Sequence, residues 1–386
     1  MTNLWVTKNT EINIPISRNG WVWMRFDNRF KPMVLLMLLC SFLVMSTGAA
    51  EVKITIKDGV LISYRGDEVN VKIPEGVRVI GADLPIEYVT NSRSDITYEV
   101  GAFSKHPEIE TVRIPESVEK IGTYAFYGCT GITSLSLPPN LKTLGDYCLA
   151  ACLSLTEIEI PKSLTELGGR SFMLCKSLKK ITIPGSVKRI SEGAFDGCEN
   201  LKSANIEIGV EVIGTSAFEH CKSLEELSLP DGLKIVEGGA FSECTSLRAV
   251  VIPDSVWLLN GYVFSGCTSL ESVTLPKNID IISWGLFENC SSLKEVVLND
   301  GLIEIDYYVF DACTSLSNIN LPDGLKTIRK NAFRGCSSLE KINIPESVEF
   351  IDNNAFDGCN KLTIYCVENS YAHRYALQKG IPFQLI

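Results

Sequence analysis

Histidine is almost missing from this chain, with three in 386 residues. His106, His220 and His373 stand far apart, and no His/Cys cluster has the spacing of metal ligands. A tetrahedral metal site or a triad that needs imidazole thus has few places to form. No glycine-rich stretch reads as a phosphate loop. Positive charge is also scarce: 36 Lys and Arg face 46 Asp and Glu, a net of -10. Nucleic acid wants a basic face, so it is not an expected partner. No segment is biased enough in composition to read as disordered. Long apolar runs are limited to one, Met33 to Met45. Neither catalysis, nor a metal, nor a cofactor is expected.

What the chain has is repetition. Phe103, Phe126, Leu149, Phe172, Phe195, Phe218, Phe241, Phe264, Phe287, Phe310, Phe333 and Phe356 follow one another every 23 residues. Three residues after each, from the second onward, stand Cys129, Cys152, Cys175, Cys198, Cys221, Cys244, Cys267, Cys290, Cys313, Cys336 and Cys359; His106 takes that place in the first. A fixed period of this size marks a solenoid in which each repeat is one coil stacked on the next. About twelve coils are expected.

The coil can be read from one unit, "SFMLCKSLKKITIPGSVKRISEG" from Ser171. Leu178, Ile181 and Ile183 lie three, six and eight residues after the Cys, and the alternation of the last two gives a short strand with one face buried. Proline comes next in nine of eleven coils, with Glu207 and Asn299 as the exceptions. It has no N–H and a fixed φ, so it ends the ladder and turns the chain. A second apolar pair follows, as in Val187 and Ile190. A tight helical turn then carries Ala-Phe and the Cys. Leu, Ile, Phe and Cys point inward.

Ladder cysteines are expected as free buried thiols acting as compact hydrophobes. Side chains on parallel coils stay about 4.8 Å apart, whereas a disulfide wants Cβ atoms near 3.8 Å. A ladder also spreads its sulfurs along an axis, which does not suit a zinc site. Cys148 and Cys366 lie off the ladder and read as structural.

At the amino end, residues 24–50 have the layout of a secretory signal peptide: Arg25, Arg29 and Lys31, the apolar run, then small residues to Ala49 and Ala50. On this reading translation starts at Met24, and residues 1–23 are a gene-start artefact. The alternative keeps the segment as an uncleaved signal anchor with residues 1–23 as a cytoplasmic tail. Its apolar run is short of the roughly 20 residues a spanning helix needs. An exported chain, secreted or at the cell surface, is expected either way, with membrane contact only through this segment if it is uncleaved.

The units "IPESVEKIGTYAFYGCTGITSLSLP" (114–138) and "IPGSVKRISEGAFDGCENLKSANI" (183–206) closely resemble the BspA-type bacterial leucine-rich repeat. The resemblance covers about residues 52–386. It implies a right-handed leucine-rich repeat solenoid, mostly short β-strands with tight turns, and a secreted or surface-displayed protein. Residues 51–98 then form an amino-terminal cap hairpin, a half-repeat and an insertion, "ADLPIEYVTNSRSDITYE". Residues 99–362 form the array, and 363–386 a closing cap in which a polar helix covers the last coil. Some members of the family adhere to host matrix proteins or other microbes. The resemblance therefore implies non-catalytic recognition of a protein or glycan on a host or microbial surface. A structural, self-associating envelope component is the alternative.

Two constellations could hold chemistry, and each has a plainer reading. Cys221 beside His220 is formally a thiol–imidazole pair, but sequence neighbours point apart and this Cys is a core position. Glu157 and Glu159 share the outward face of one strand, which suits a solvated surface. For binding, the informative column is the residue before the last apolar position of the second edge. It reads Lys120, Thr143, Glu166, Arg189, then Val212, Ile235, Leu258, Ile281, then Glu304, Thr327, Phe350. Val212, Ile235, Trp257, Leu258 and Ile281 are the candidate patch, with Ile303, Trp284, Tyr262, Tyr307 and Tyr308 beside it.

Overall fold

In a computed structural model the structure describes residues 11–15, 21–25, 52–81 and 101–386. The signal segment from residue 26 onward, Cys40 among it, and the insertion at 82–99 lie outside the described residues. The chain divides into two compact units, Met1–Glu51 and Val52–Ile386. In the first, strands Glu11–Pro15 and Trp21–Arg25 pair antiparallel, Glu11 opposite Arg25.

The second unit is a parallel β-solenoid of about 13 turns of ~23 residues. Each strand residue meets its counterpart one repeat later, as Thr143 meets Glu166 and Lys180 meets Ser203. The repeat period thus sets the register. The count exceeds the twelve read from Phe because the half-repeat closes a turn of its own. Asn70–Lys72 pairs with Thr111–Arg113, and Val79–Ile80 with Lys120–Ile121. The hairpin Lys53–Lys57 and Val60–Arg65 begins the second edge.

The Ala-Phe-Cys turn is tight, with i→i+3 bonds such as Cys129 N–H to the Phe126 carbonyl at 3.1 Å. It does not extend into a helix. Residues two before the Phe, from Tyr124 to Asn331, and two after it, from Lys105 to Gly358, have positive φ. A left-handed residue on each side stops helical propagation. Among the described residues the helix is Tyr371–Lys379, capped by the Ser370 hydroxyl at its start and left-handed Gly380 at its end.

Phenylalanine rings stack down the interior nearly parallel, and a tyrosine closes each end. Tyr64 lies 5.1 Å from Phe103, and Tyr375, on the helix, 6.1 Å from Phe356. Spacing along the stack is uneven. Centroids are 5.0 Å apart for Phe103–Phe126 and 5.1 Å for Phe195–Phe218, but 5.7, 6.0 and 5.6 Å along Phe241–Phe264–Phe287–Phe310. The residue before each of the last three Phe explains this. It is alanine in most coils, but Val263, Leu286 and Val309 here, all fully buried. Its carbonyl accepts the N–H of the preceding coil's Phe at 2.8 Å for Ala194, Ala217, Ala240, Ala332 and Ala355, yet at 2.9, 3.1 and 2.9 Å for Val263, Leu286 and Val309. Extra methyl groups in a column sized for alanine wedge the coils apart, as overpacking does in any close-packed interior.

Candidate binding surface

The second edge is divided in the same coils. Its ladder runs from Val79–Ile80 to Phe350–Ile351 as two sheets, divided between Leu258–Leu259 and Ile281–Ile282. In neighbouring coils a carbonyl takes two N–H groups of the next coil, as Lys234 takes those of Trp257 and Leu258. No such bond joins Trp257 to Asp280 and Ile281. The Ser283 hydroxyl instead donates to the Leu259 carbonyl at 2.6 Å.

The candidate patch straddles this break. Val212, Ile235 and Leu258 are paired in register on one side, each half-buried. Ile281 begins the other side, 42% exposed and paired with Glu304. Trp257 is 58% exposed and Trp284 55%. Tyr262, Ile303 and Tyr307 are exposed as well. The structure therefore gathers the patch residues on one edge, with Trp257 and Ile281 offering the most surface and the other three lending mainly their flanks. Sequence reasoning did not anticipate the division of the ladder. Its signal was available, as three consecutive coils replace Ala by a larger residue. The first edge also shows apolar surface in these coils, with Val251 70% exposed and Val297 next but one in the same column.

The sulfur ladder is more than a set of small hydrophobes. Each Sγ–H, from Cys129 to Cys359, donates to the carbonyl of the residue at the Phe position of the preceding coil, at 2.9–3.3 Å. That spacing of 26 residues makes each thiol a weak inter-coil donor. All thirteen described cysteines are free. Burial pushes most of their thiols up, Cys129 and Cys267 to about 12, while at Cys336 the neighbouring Cys359 sulfur is the larger cause. Cys359, half-buried at the end of the ladder, is shifted down instead by its interaction with the neighbouring Cys336 sulfur.

The two chemical constellations come apart. Cys221 is sealed, its Sγ 3.3 Å from the Phe195 carbonyl, while the His220 ring faces outward with Nδ1 3.1 Å from Asp196. Burial holds the Cys221 thiol well above its ordinary range. Thiol and imidazole do not meet, so there is no nucleophile–base pair here. Glu157 and Glu159 are both exposed around buried Ile158. Among the described residues no helix is long and apolar enough to cross a membrane.

Stacked parallel coils with a Leu, Ile, Phe and Cys interior define a leucine-rich repeat solenoid. Within that class the chain belongs to the BspA type leucine rich repeat family, whose profile matches six copies over residues 97–225, 211–338 and 281–375. A leucine-rich repeat protein from Bacteroides ovatus is similar in structure, with 26% identity and a TM-score of 0.59 over 88% of this chain and 98% of the other. A leucine rich cell surface protein from Faecalibacterium prausnitzii has 26% identity and a TM-score of 0.50 over 86% and 96%. No curated protein matches the chain.

Proposed function

We propose that this is an exported, non-catalytic recognition protein that binds a protein or glycan at a host or microbial surface, in an adhesive role. The family's association with recognition at the cell surface supports the reading. One observation carries it: exposed Trp257, Ile281, Trp284 and Ile303 concentrate in the coils whose second edge is divided. Elsewhere the three columns they occupy are mostly polar. An apolar, aromatic strip with a polar surround is the composition of a protein-binding hot spot.

The test is a paired substitution, Trp257→Ser with Ile281→Glu, in the full chain. Both side chains are largely outside the core, so the denaturation midpoint should hold. Capture of immobilised host or microbial surface material should fall about tenfold or more, as loss of an aromatic anchor does. Unchanged capture, or loss of the fold, would count against the patch. Sedimentation addresses the self-associating envelope component, which requires the chain alone to assemble as its concentration rises.

A further inference from the structure

Beside the strip lies a trough of about 670 Å³ on the turn face, whose lining is organised by column. One column runs Glu219, Ser242, Ser265, Glu288 through four consecutive coils, so carboxylates stand at both ends with small hydroxyls between. The floor includes Gly238, Gly239 and Gly261. At the Glu288 end rise two aromatic rings, Tyr262 and Trp284, with centroids 5.5 Å apart. Their placement depends on glycine: a methyl at Gly261 would lie 1.7 Å from the Trp284 indole, and one at Gly285 2.3 Å from the Tyr262 ring.

Charge sets the ligand class. Carboxylates on adjacent coils commonly meet a base one repeat away, as Glu211 meets Lys234 at 2.7 Å and Glu271 meets Lys294 at 2.8 Å. Among the described residues Glu219 and Glu288 have no such partner, and no Lys or Arg lines the trough. At the first end Asp196 adds to the negative field, with its carboxylate, that of Glu219 and the His220 ring within 4.8 Å of one another. At the second, burial and then the Asp311 charge raise the Glu288 carboxyl above its usual range, and Arg334, which pairs with Asp311, only partly offsets this. An aromatic wall beside carboxylates that no Lys or Arg of the lining neutralises is a receptor for cations.

We propose that this trough binds an extended basic segment of a protein partner, with one Lys or Arg side chain stacked on Trp284 and Tyr262 beside Glu288 and a second held by Glu219 and Asp196. The inference rests on the recognition role above and narrows its partner to a basic peptide. Three coil steps separate the two ends, about 14 Å at strand spacing. An extended peptide covers that in about four residues. Arginines at positions i and i+4 therefore fit both ends, and adjacent ones do not.

The test is calorimetric titration of the full chain with acetyl-Arg-Gly-Gly-Gly-Arg-amide and with its isomer acetyl-Gly-Arg-Arg-Gly-Gly-amide, at fixed salt. The spaced peptide should bind at least threefold more tightly. Trp284→Ala, at an exposed side chain, should weaken it about 3- to 30-fold. Glu219→Gln with Glu288→Gln should weaken it further than Glu157→Gln with Glu159→Gln, which removes equal charge from the first edge. Equal affinity for the two peptides, or equal loss in both carboxylate variants, would reduce the effect to general attraction by an acidic protein and overturn the proposal. Because the probe is a defined peptide, failure here leaves the surface-capture result for Trp257 and Ile281 standing.

Discussion

Phe218→Ala should cost about 3–5 kcal/mol of stability, the range for removing a fully buried phenylalanine. Phe218 sits between Phe195 and Phe241, at centroid distances of 5.1 and 5.4 Å, so truncation removes ring contacts on both sides. The neighbouring coils cannot collapse onto the space, because strands and turn bonds on either side hold them at the repeat spacing. In a stacked array each coil is held by its neighbours, so the defect should also uncouple the two halves. Chemical denaturation should show a lower midpoint and a broader or divided transition. A loss near 1 kcal/mol with an unchanged transition would mean that the stack contributes little.

Leu286→Ala should cost less than an ordinary core truncation. At Leu293, buried three residues after Cys290, the same change should cost about 2–5 kcal/mol. At Leu286 it restores the alanine that the column accommodates elsewhere, and the coils can close over the space, so the cost should stay below about 2 kcal/mol. Closure should bring the Asp280 and Ile281 amides within reach of the Trp257 carbonyl. Their hydrogen exchange should then slow, by about tenfold for each 1.4 kcal/mol of added local stability. Equal costs at the two leucines, with unchanged exchange at Asp280 and Ile281, would show that the wedge does not cause the division of the ladder.

Most of the fold was legible because a solenoid writes its register directly into its period. Phe103 to Phe356 mark the coils, and the strand pairs fall 23 residues apart as that spacing requires. The thirteenth turn was hidden, since Asn70 and Thr111 are 41 residues apart and the interval breaks the period. The thiol's role as an inter-coil donor was hidden for another reason. Sequence shows that Cys129 is small and recurrent, but not which carbonyl lies above it. The candidate surface was legible in Trp257 and Ile281, where a polar column turns apolar. The trough was not. It depends on Trp284 reaching back over Gly261 and Tyr262 reaching forward over Gly285, contacts that no periodic pattern reports.

The coil-on-coil account is tested most directly by its sulfurs. The native full chain would be exposed to a thiol-alkylating reagent and the modified peptides identified by mass spectrometry, with a denatured sample as reference. Among the described cysteines, Cys359 should label first, since it alone is only half-buried and is shifted toward the thiolate. The buried ones from Cys129 to Cys336 should stay unmodified until the chain unfolds. Ready alkylation of Cys198, Cys221 or Cys244 in the native protein would contradict a closed interior.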